Sequence, residues 1–322
     1  MDENKYLVEV NHLKKYFKTN SGTLHAVDDV SFKIRQGETL GVVGESGCGK
    51  STLGRTVIHL LERTDGQIIF DGRDISDVDK TELKALRHDV QMIFQDPFSS
   101  LNPRMSVSQI IAEPLLIYKT CPKEDLDKEV TKLMDTVGLA RRFANAYPHE
   151  LDGGRRQRIG VARALSLNPK FIVCDEPVSA LDVSIQAQIL NLMQDLQEEY
   201  NLTYMFITHN MSVVKHISNQ ILVMYLGTVV EFADVKDIFK DRLHPYTKAL
   251  LAAVPIPKVF DRGERQLLQG ELTSPIDPKP GCRFAARCPY ATEICRQESP
   301  AMTEPIPNHF VACHHVKEIN QL

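Results

Sequence analysis

The chain has 322 residues, a quarter of them charged, and a net charge of −4. Its length allows one large α/β domain and a smaller one, and the slight acidity argues against a general nucleic-acid-binding protein. Because residues 1–5 open no apolar run and no segment reaches the roughly 18 apolar residues of a membrane span, we predict a cytosolic chain without a secretory signal.

The N-terminal third of the chain is predicted to form mainly strands. Apolar and partly alternating runs predict strands at residues 7–10, 26–34, 39–43, 67–70 and 90–94. A short helix is predicted at 81–87.

A glycine-rich loop lies between the strand at 39–43 and a helix predicted at 52–61. It has the pattern G-x-x-x-x-G-K-[ST], in which backbone N–H groups and a helix N-terminus face phosphate oxygens. Lys50 would reach the β- and γ-phosphates, and the Ser51 hydroxyl would bind Mg²⁺. The sequence therefore predicts a nucleoside triphosphate site formed by Gly44, Glu45, Ser46, Gly47, Cys48, Gly49, Lys50, Ser51 and Thr52.

The middle of the chain is predicted to be a helical insert within an α/β unit. Residues 107–167 have a helical pattern throughout, and 171–174 form a short apolar strand typical of a buried parallel sheet. A helix with apolar residues at helical spacing follows at 184–200, with buried strands at 204–208 and 220–225. Proline then becomes frequent, so we place a boundary near Pro255 between a domain at 1–254, with a helical subdomain at about 96–168, and one at 255–322.

Two carboxylates follow the apolar strand at 171–174. Asp175 is placed to hold Mg²⁺ through water, and Glu176 can polarise the water that attacks a γ-phosphate. Apolar strands that end in two acidic residues are common. Without further evidence, an ordinary capped strand explains this pattern equally well. The phosphate loop in the same chain favours the catalytic interpretation.

Residues 151–158, with the sequence LDGGRRQR, precede a helix predicted at 159–167. Two glycines that open a helix N-terminus suit phosphate contact. Together with the phosphate loop and the Asp175-Glu176 pair, this segment resembles the signature motif of the nucleotide-binding subunits of ABC transporters, over almost the whole chain. The resemblance implies an α/β P-loop NTPase cassette with a mixed sheet, N-terminal antiparallel strands, a helical subdomain and a small Cys-rich C-terminal extension.

The resemblance also implies roles for residues outside the loop. Gln95 corresponds to the Q-loop, Asp182 to the D-loop and His209 to the switch histidine, and Tyr16 lies where the family stacks an aromatic ring on adenine. ATP and Mg²⁺ are the implied cofactors, with Ser51, Gln95 and Asp175 on the metal and Glu176, His209 and Gln95 in catalysis. Because the family forms head-to-tail dimers, the ATP of a partner subunit would be contacted by Asp152, Gly153 and Gly154.

Two signature residues depart from the family pattern, which usually has serine and glutamine where this chain has Asp152 and Arg155. Aspartate is a good N-cap. A carboxylate at ~4 Å from a γ-phosphate, however, repels it by roughly 4 kcal/mol per charge pair at an effective dielectric constant near 20. Arg155 is placed to neutralise Asp152 or to contact the phosphate itself. We therefore predict an altered site at this signature and a non-identical ATPase subunit as partner.

Three further segments resemble the ATPases of oligopeptide and dipeptide importers: residues 92–97, 100–103 and 244–251. This resemblance implies peptide import driven by ATP hydrolysis at the cytoplasmic side of the cell membrane, with two transmembrane permease subunits. An extracytoplasmic substrate-binding protein would act indirectly, and no nucleic acid is implied. Alternatives are an importer of nickel or another small solute, a soluble ABC-type ATPase of DNA repair or translation, and a non-hydrolysing nucleotide-binding regulator.

Four of the seven cysteines lie near the C-terminus: Cys282, Cys288, Cys295 and Cys313. In a reducing compartment four thiolates suit an iron–sulfur cluster or a structural Zn²⁺, and the spacings lack the C-x₂-C pairs of zinc ribbons. Some importers of the family bind a [4Fe–4S] cluster through cysteines of this region. We predict such a cluster, with Zn²⁺ and unligated thiols as the alternatives.

Overall fold

The computed structural model describes residues 6–253 and 274–322. They form two compact units. The helical unit comprises residues 35–38 and 77–207, and the terminal unit comprises 6–34, 39–76, 208–253 and 274–322. The predicted boundary near Pro255 and the N-terminal residues 1–5 lie outside the described residues, and the division into domains at 1–254 and 255–322 stays a prediction.

The strands are β1 Tyr6–Thr19, β2 Gly22–Arg35, β3 Thr39–Val43, β4 Asp65–Phe70, β5 Arg73–Asp74, β6 Val90–Ile93, β7 Phe171–Asp175, β8 Thr203–Thr208, β9 Gln220–Tyr225, β10 Thr228–Asp234, β11 Thr303–Ile306 and β12 His309–Val311. The helices are α1 Lys50–Val57, α2 Lys80–Asp89, α3 Pro97–Ser100, α4 Val107–Tyr118, α5 Leu126–Thr136, α6 Gly153–Leu165, α7 Val183–Tyr200, α8 Met211–Ile217, α9 Val235–Lys240, α10 Pro245–Ala252, α11 Glu293–Gln297 and α12 Val316–Asn320. Short 3₁₀ turns occur at Arg141–Phe143 and Pro148–Glu150.

The helical unit is built around three parallel strands, with β7 between β6 and β8. Every residue of β7 is buried, as its wholly apolar run Phe171 to Cys174 predicts for a central parallel strand. Helices α3 to α6 lie between β6 and β7 in the chain, and α6 packs against α3, α4 and α5. A capping box of Ser106 and Gln109 begins α4.

The terminal unit contains two sheets. In the first, with the order β2-β1-β4-β5, β1 runs antiparallel to β4 and β4 antiparallel to β5. In the second, β3 pairs in parallel with β9, and β10, β12 and β11 continue from β9 in antiparallel pairs. The mixed sheet and the antiparallel N-terminal strands predicted from the sequence are therefore both present.

A buried hydrogen-bonded pair, His309 and Glu231, joins the C-terminal strands to β10. His309 Nε2 lies 2.7 Å from Glu231 Oε1, and both side chains have 0% relative exposure. The Glu231 carboxylate also accepts hydrogen bonds from the backbone N–H groups of Leu243 and His244, at 2.7 and 3.0 Å. Because a buried charge is costly unless it is paired and hydrogen-bonded, these contacts hold β12 in register with β10.

Among residues 6–253 and 274–322, no helix combines the length and apolar character that crossing a bilayer requires.

Candidate nucleotide site

The predicted phosphate loop connects β3 to α1 in the terminal unit. Gly49 comes directly before α1 and has φ of 103°. A Cβ at Gly49 would lie 2.0 Å from the carbonyl oxygen of Ala26, so both the backbone angle and the space require glycine. No side chain caps α1 at this position, which leaves backbone N–H groups of its first turn for an anion.

Lys50 is buried in this loop, with 4% relative exposure. Its Nζ donates hydrogen bonds to the carbonyl oxygens of Gly44 and Glu45, each at 2.9 Å. Neutral carbonyls offset only part of the cost of burying an ammonium group, so the loop favours an anion beside it. Cys48 is also buried, and its burial raises the thiol pKa, which keeps the thiol neutral beside Lys50.

Tyr16, the predicted adenine-stacking residue, lies on β1 of the same unit. Its ring stacks on His25 with centroids 4.0 Å apart and an interplanar angle of 26°. The Tyr16 hydroxyl donates a hydrogen bond to the Asp28 carboxylate. His25 covers one face of the ring.

The two predicted catalytic carboxylates lie at the end of β7 in the helical unit. Asp175 is fully buried, and Glu176 follows it with φ of 46°, in the left-handed region that non-glycine residues rarely adopt. The Glu176 N–H donates to the carbonyl of Ile207 at 2.9 Å, and Gln95 Nε2 donates to Glu176 Oε2 at 3.2 Å. Backbone strain of this kind is concentrated at functional sites, and the structure brings the predicted Gln95 and Glu176 into contact.

The signature segment begins α6 with Asp152 as its N-cap. Asp152 Oδ1 accepts a hydrogen bond from the Arg155 N–H at 2.8 Å, and Arg155 Nη1 lies 2.5 Å from Asp152 Oδ2. The Arg155 guanidinium also lies 4.8 Å from the ring centroid of Phe143. The sequence left two roles open for Arg155. In the structure Arg155 pairs with Asp152 and neutralises it.

The signature glycines of α6 approach the segment that contains Asp182. A Cβ on Gly153 would lie 3.0 Å from Leu181, and a Cβ on Gly154 would lie 2.8 Å from Ile185. Asp182 is the residue before α7. The predicted signature and D-loop residues are therefore adjacent, and the two glycines allow close packing there.

The predicted site residues divide between the two units. The terminal unit holds the phosphate loop, Tyr16 and the exposed His209, and the helical unit holds Gln95, the carboxylates, the signature residues and Asp182. Their joint assignment to ATP stays a prediction.

All four clustered cysteines line one pocket, together with His244, Phe284 and residues of the C-terminal segment. They are free thiols. Burial raises the pKa of Cys282 to about 11 and raises those of Cys288 and Cys313. Within residues 6–253 and 274–322 no three His, Cys, Asp or Glu side chains are arranged around a single metal ion.

Sequence reasoning missed three side chains that contact the predicted site. Arg283 contacts Asp28, and Arg287 and Tyr246 contact Glu45. Of the three, only Tyr246 lies in a segment, 244–251, that the resemblance to peptide importers includes. Their partners lie more than 200 residues away in the chain, which no local pattern indicates.

Comparison with known proteins gives two family matches. Residues 27–179 match the family described as ABC transporter, and residues 230–295 match the one described as oligopeptide/dipeptide transporter, C-terminal region.

Curated relatives are similar over nearly the full chain. The oligopeptide transport ATP-binding protein AppF of Bacillus subtilis (strain 168) is 52% identical over 320 residues, covering 96% of this chain and 97% of that protein. OppF of Haemophilus influenzae is 51% identical, with 95% and 96% covered, and OppF of Salmonella typhimurium is 50% identical, with 97% of each covered. Among solved structures, the ATP-binding cassette MJ0796, a dimer in a post-hydrolysis state bound to ADP and Pi, has a TM-score of 0.65 and 30% identity over 71% of this chain and 98% of that one.

Proposed function

Because the chain belongs to the family of ATP-binding subunits of ABC-type oligopeptide transporters, we propose that it hydrolyses ATP to drive uptake of oligopeptides or dipeptides across the cytoplasmic membrane, as a peptide-translocating ATPase. The family implies the use of ATP and Mg²⁺ and partnership with membrane permease subunits. The predicted cassette fold is confirmed by the likeness to solved cassettes. The single observation that carries the proposal is the buried ammonium of Lys50 at the uncapped N-terminus of α1.

We assign one ATP to Lys50, Ser51, Gln95, Asp175, Glu176 and His209, with Tyr16 on the adenine. Lys50 exchanges its two carbonyl partners for phosphate oxygens when ATP binds, and Glu176, held by Gln95, accepts a proton from the attacking water. Ser51, Gln95 and Asp175 would hold Mg²⁺, which would offset the negative charge of the phosphates.

The finer assembly is also part of the proposal. A second, non-identical ATPase subunit completes the site, since Asp152 and Arg155 replace the residues usual at a signature. The chain would lie peripherally at the cytoplasmic side of the membrane, bind two permease subunits, and respond to an extracytoplasmic substrate-binding protein through them. The C-terminal match at 230–295 favours a transporter over a soluble cassette ATPase.

Uptake by proteoliposomes that contain the complete complex tests this proposal. We expect ATP-dependent accumulation of a labelled oligopeptide, and no accumulation of Ni²⁺. Lys50→Ala should lower peptide uptake by at least ~10²-fold, because the lysine contacts the transferred phosphate, while the exposed Lys18→Ala serves as a matched control with unchanged uptake. Uptake of Ni²⁺ instead of peptide, or full uptake by Lys50→Ala, would contradict the proposal.

We also propose that a [4Fe–4S] cluster crosslinks the C-terminal segment. Its ligands would be Cys282, Cys288, Cys295 and Cys313. Support comes from four thiols that line one pocket and from sequence spacings that lack the C-x₂-C pairs of zinc ribbons. Bound iron would keep the four thiols deprotonated, although burial raises the pKa values of Cys282, Cys288 and Cys313.

Metal analysis of anaerobically purified protein tests this second proposal. We expect about four iron and four sulfide per chain and an absorption band typical of the cluster, both lost in Cys288→Ser. Cys121→Ser, which lies outside the set, should keep them. One zinc per chain, or no metal at all, would overturn the assignment.

A further inference from the structure

The segment that holds Cys282 and Cys288 also contacts both ends of the predicted nucleotide site in the terminal unit. We call residues 282–288 the cysteine segment. Within it, Arg283 follows Cys282, and Arg287 precedes Cys288. Each arginine binds a carboxylate that belongs to the site or touches it.

Arg287 binds the phosphate loop. Its Nη1 lies 2.7 Å from Glu45 Oε2 and its Nη2 lies 3.1 Å from Glu45 Oε1, so the pair is bidentate. The Arg287 side chain is only 7% exposed. The Glu45 N–H donates to the Tyr246 hydroxyl at 2.8 Å, so main chain and side chain of this loop residue are both held. Arg287 also neutralises a carboxylate that would otherwise repel the ATP phosphates.

Arg283 acts at the adenine end. It contacts the Asp28 carboxylate and the carbonyl of Leu226, and its side chain is 12% exposed. Asp28 in turn accepts hydrogen bonds from the Tyr16 hydroxyl and from His25 Nδ1, the latter at 3.1 Å. Although burial raises it, these hydrogen bonds and the charge of Arg283 together lower the pKa of Asp28, so the carboxylate stays charged. Arg283 thereby sets the orientation of the Tyr16 ring.

Phe284 fixes the cysteine segment in the core between these contacts. It has 1% relative exposure, and its ring centroid lies 5.2 Å from that of Tyr225 and 5.5 Å from that of Tyr246. Tyr246 is the same residue that binds Glu45. The packing of Phe284 therefore holds in place the segment that carries both arginines.

We propose that Arg283 and Arg287 are positioning residues of the ATP site, through which the cysteine segment sets the affinity for nucleotide. Arg287 aligns the phosphate loop and cancels the charge of Glu45, and Arg283 orients Tyr16 through Asp28. The proposal rests on the proposed function, because it concerns the same ATP site.

Two ligands separate the two roles: MgATP and inorganic tripolyphosphate, which has no base. In equilibrium titrations of the full-length chain, Arg287→Gln should weaken both ligands about tenfold, because a charge-assisted bidentate pair is lost beside the phosphates. Arg283→Gln should weaken MgATP about tenfold and leave tripolyphosphate within about twofold, because it acts only on the base-stacking ring.

Arg296→Gln is the matched control, since Arg296 lies exposed beside Cys295 on α11. Arg296→Gln should change the affinity for neither MgATP nor tripolyphosphate. Thermal unfolding of each variant shows separately whether the variant folds. Unchanged affinities in Arg287→Gln, or equal loss of both ligands in Arg283→Gln, would overturn the proposal. A wild-type chain that binds no ATP would instead refute the proposed function.

Discussion

Replacement of Glu176 by glutamine is expected to lower the ATP turnover of the assembled complex by about 10³-fold, within the range typical of removing a general base. Glutamine keeps the size and the contact to Gln95, which lies 3.2 Å from Glu176 Oε2, but it cannot accept the proton of the attacking water. ATP binding should be retained, so KM changes little while kcat falls. Steady-state phosphate release measures both parameters.

Glu198→Gln provides a control on the exposed surface of α7 and should leave turnover unchanged. Near-normal turnover in Glu176→Gln would show that Glu176 is not the base. A loss of ATP binding in that variant would indicate a structural role for Glu176 instead.

The second large effect concerns Arg155, which neutralises the aspartate at the signature. Arg155→Gln leaves the Asp152 carboxylate without the guanidinium that now lies 2.5 Å away. A bare carboxylate at ~4 Å from a γ-phosphate costs roughly 4 kcal/mol at an effective dielectric constant of 20, and because Asp152 is 57% exposed, solvent screening reduces this cost. We therefore expect the ATP-driven association of the two ATPase subunits to weaken by about 10²-fold. Analytical ultracentrifugation measures this association, with Glu176→Gln present in both the reference chain and the Arg155→Gln chain.

Adding Asp152→Ser to Arg155→Gln removes the carboxylate and should restore association. If the signature site of the wild type is altered, this double variant should also raise the turnover of the complex about twofold, since two sites then hydrolyse ATP. Arg142→Gln is the control, because Arg142 also lies over Phe143, at 5.1 Å. Turnover of the double variant equal to wild type would contradict an altered site.

Local patterns predicted the elements that carry the site, because glycine positions and periodicity act over a few residues. The helix predicted at 184–200 is α7, Val183–Tyr200, and the apolar strand before Asp175 is β7. The phosphate loop was likewise identified from its glycines, and Gly49 has the left-handed backbone and the close contact that demand one.

The bounds of elements that depend on distant partners were predicted less accurately from the sequence. Strands β1 and β2 have 14 residues each, longer than predicted, because pairing stabilises polar stretches that show no alternation. The helix predicted at 159–167 is α6 and begins six residues earlier, at Gly153, because contact with Leu181 and Ile185 favours glycine there despite its low helix propensity. Ion pairs such as Arg287–Glu45 join residues 242 positions apart.

Equilibrium binding of MgATP to the purified full-length chain tests the central claim most directly. The Nζ of buried Lys50 donates to the carbonyl oxygens of Gly44 and Glu45 at 2.9 Å and lies 3.8 Å from the Cys48 sulfur, all neutral groups. We expect saturable binding that depends on Mg²⁺ and weakens by about 10²-fold in Lys50→Ala, because the proposed site has the ammonium on the β- and γ-phosphates. Absence of saturable binding by the wild type, or equal affinity in Lys50→Ala, would contradict a nucleotide site at residues 44–51.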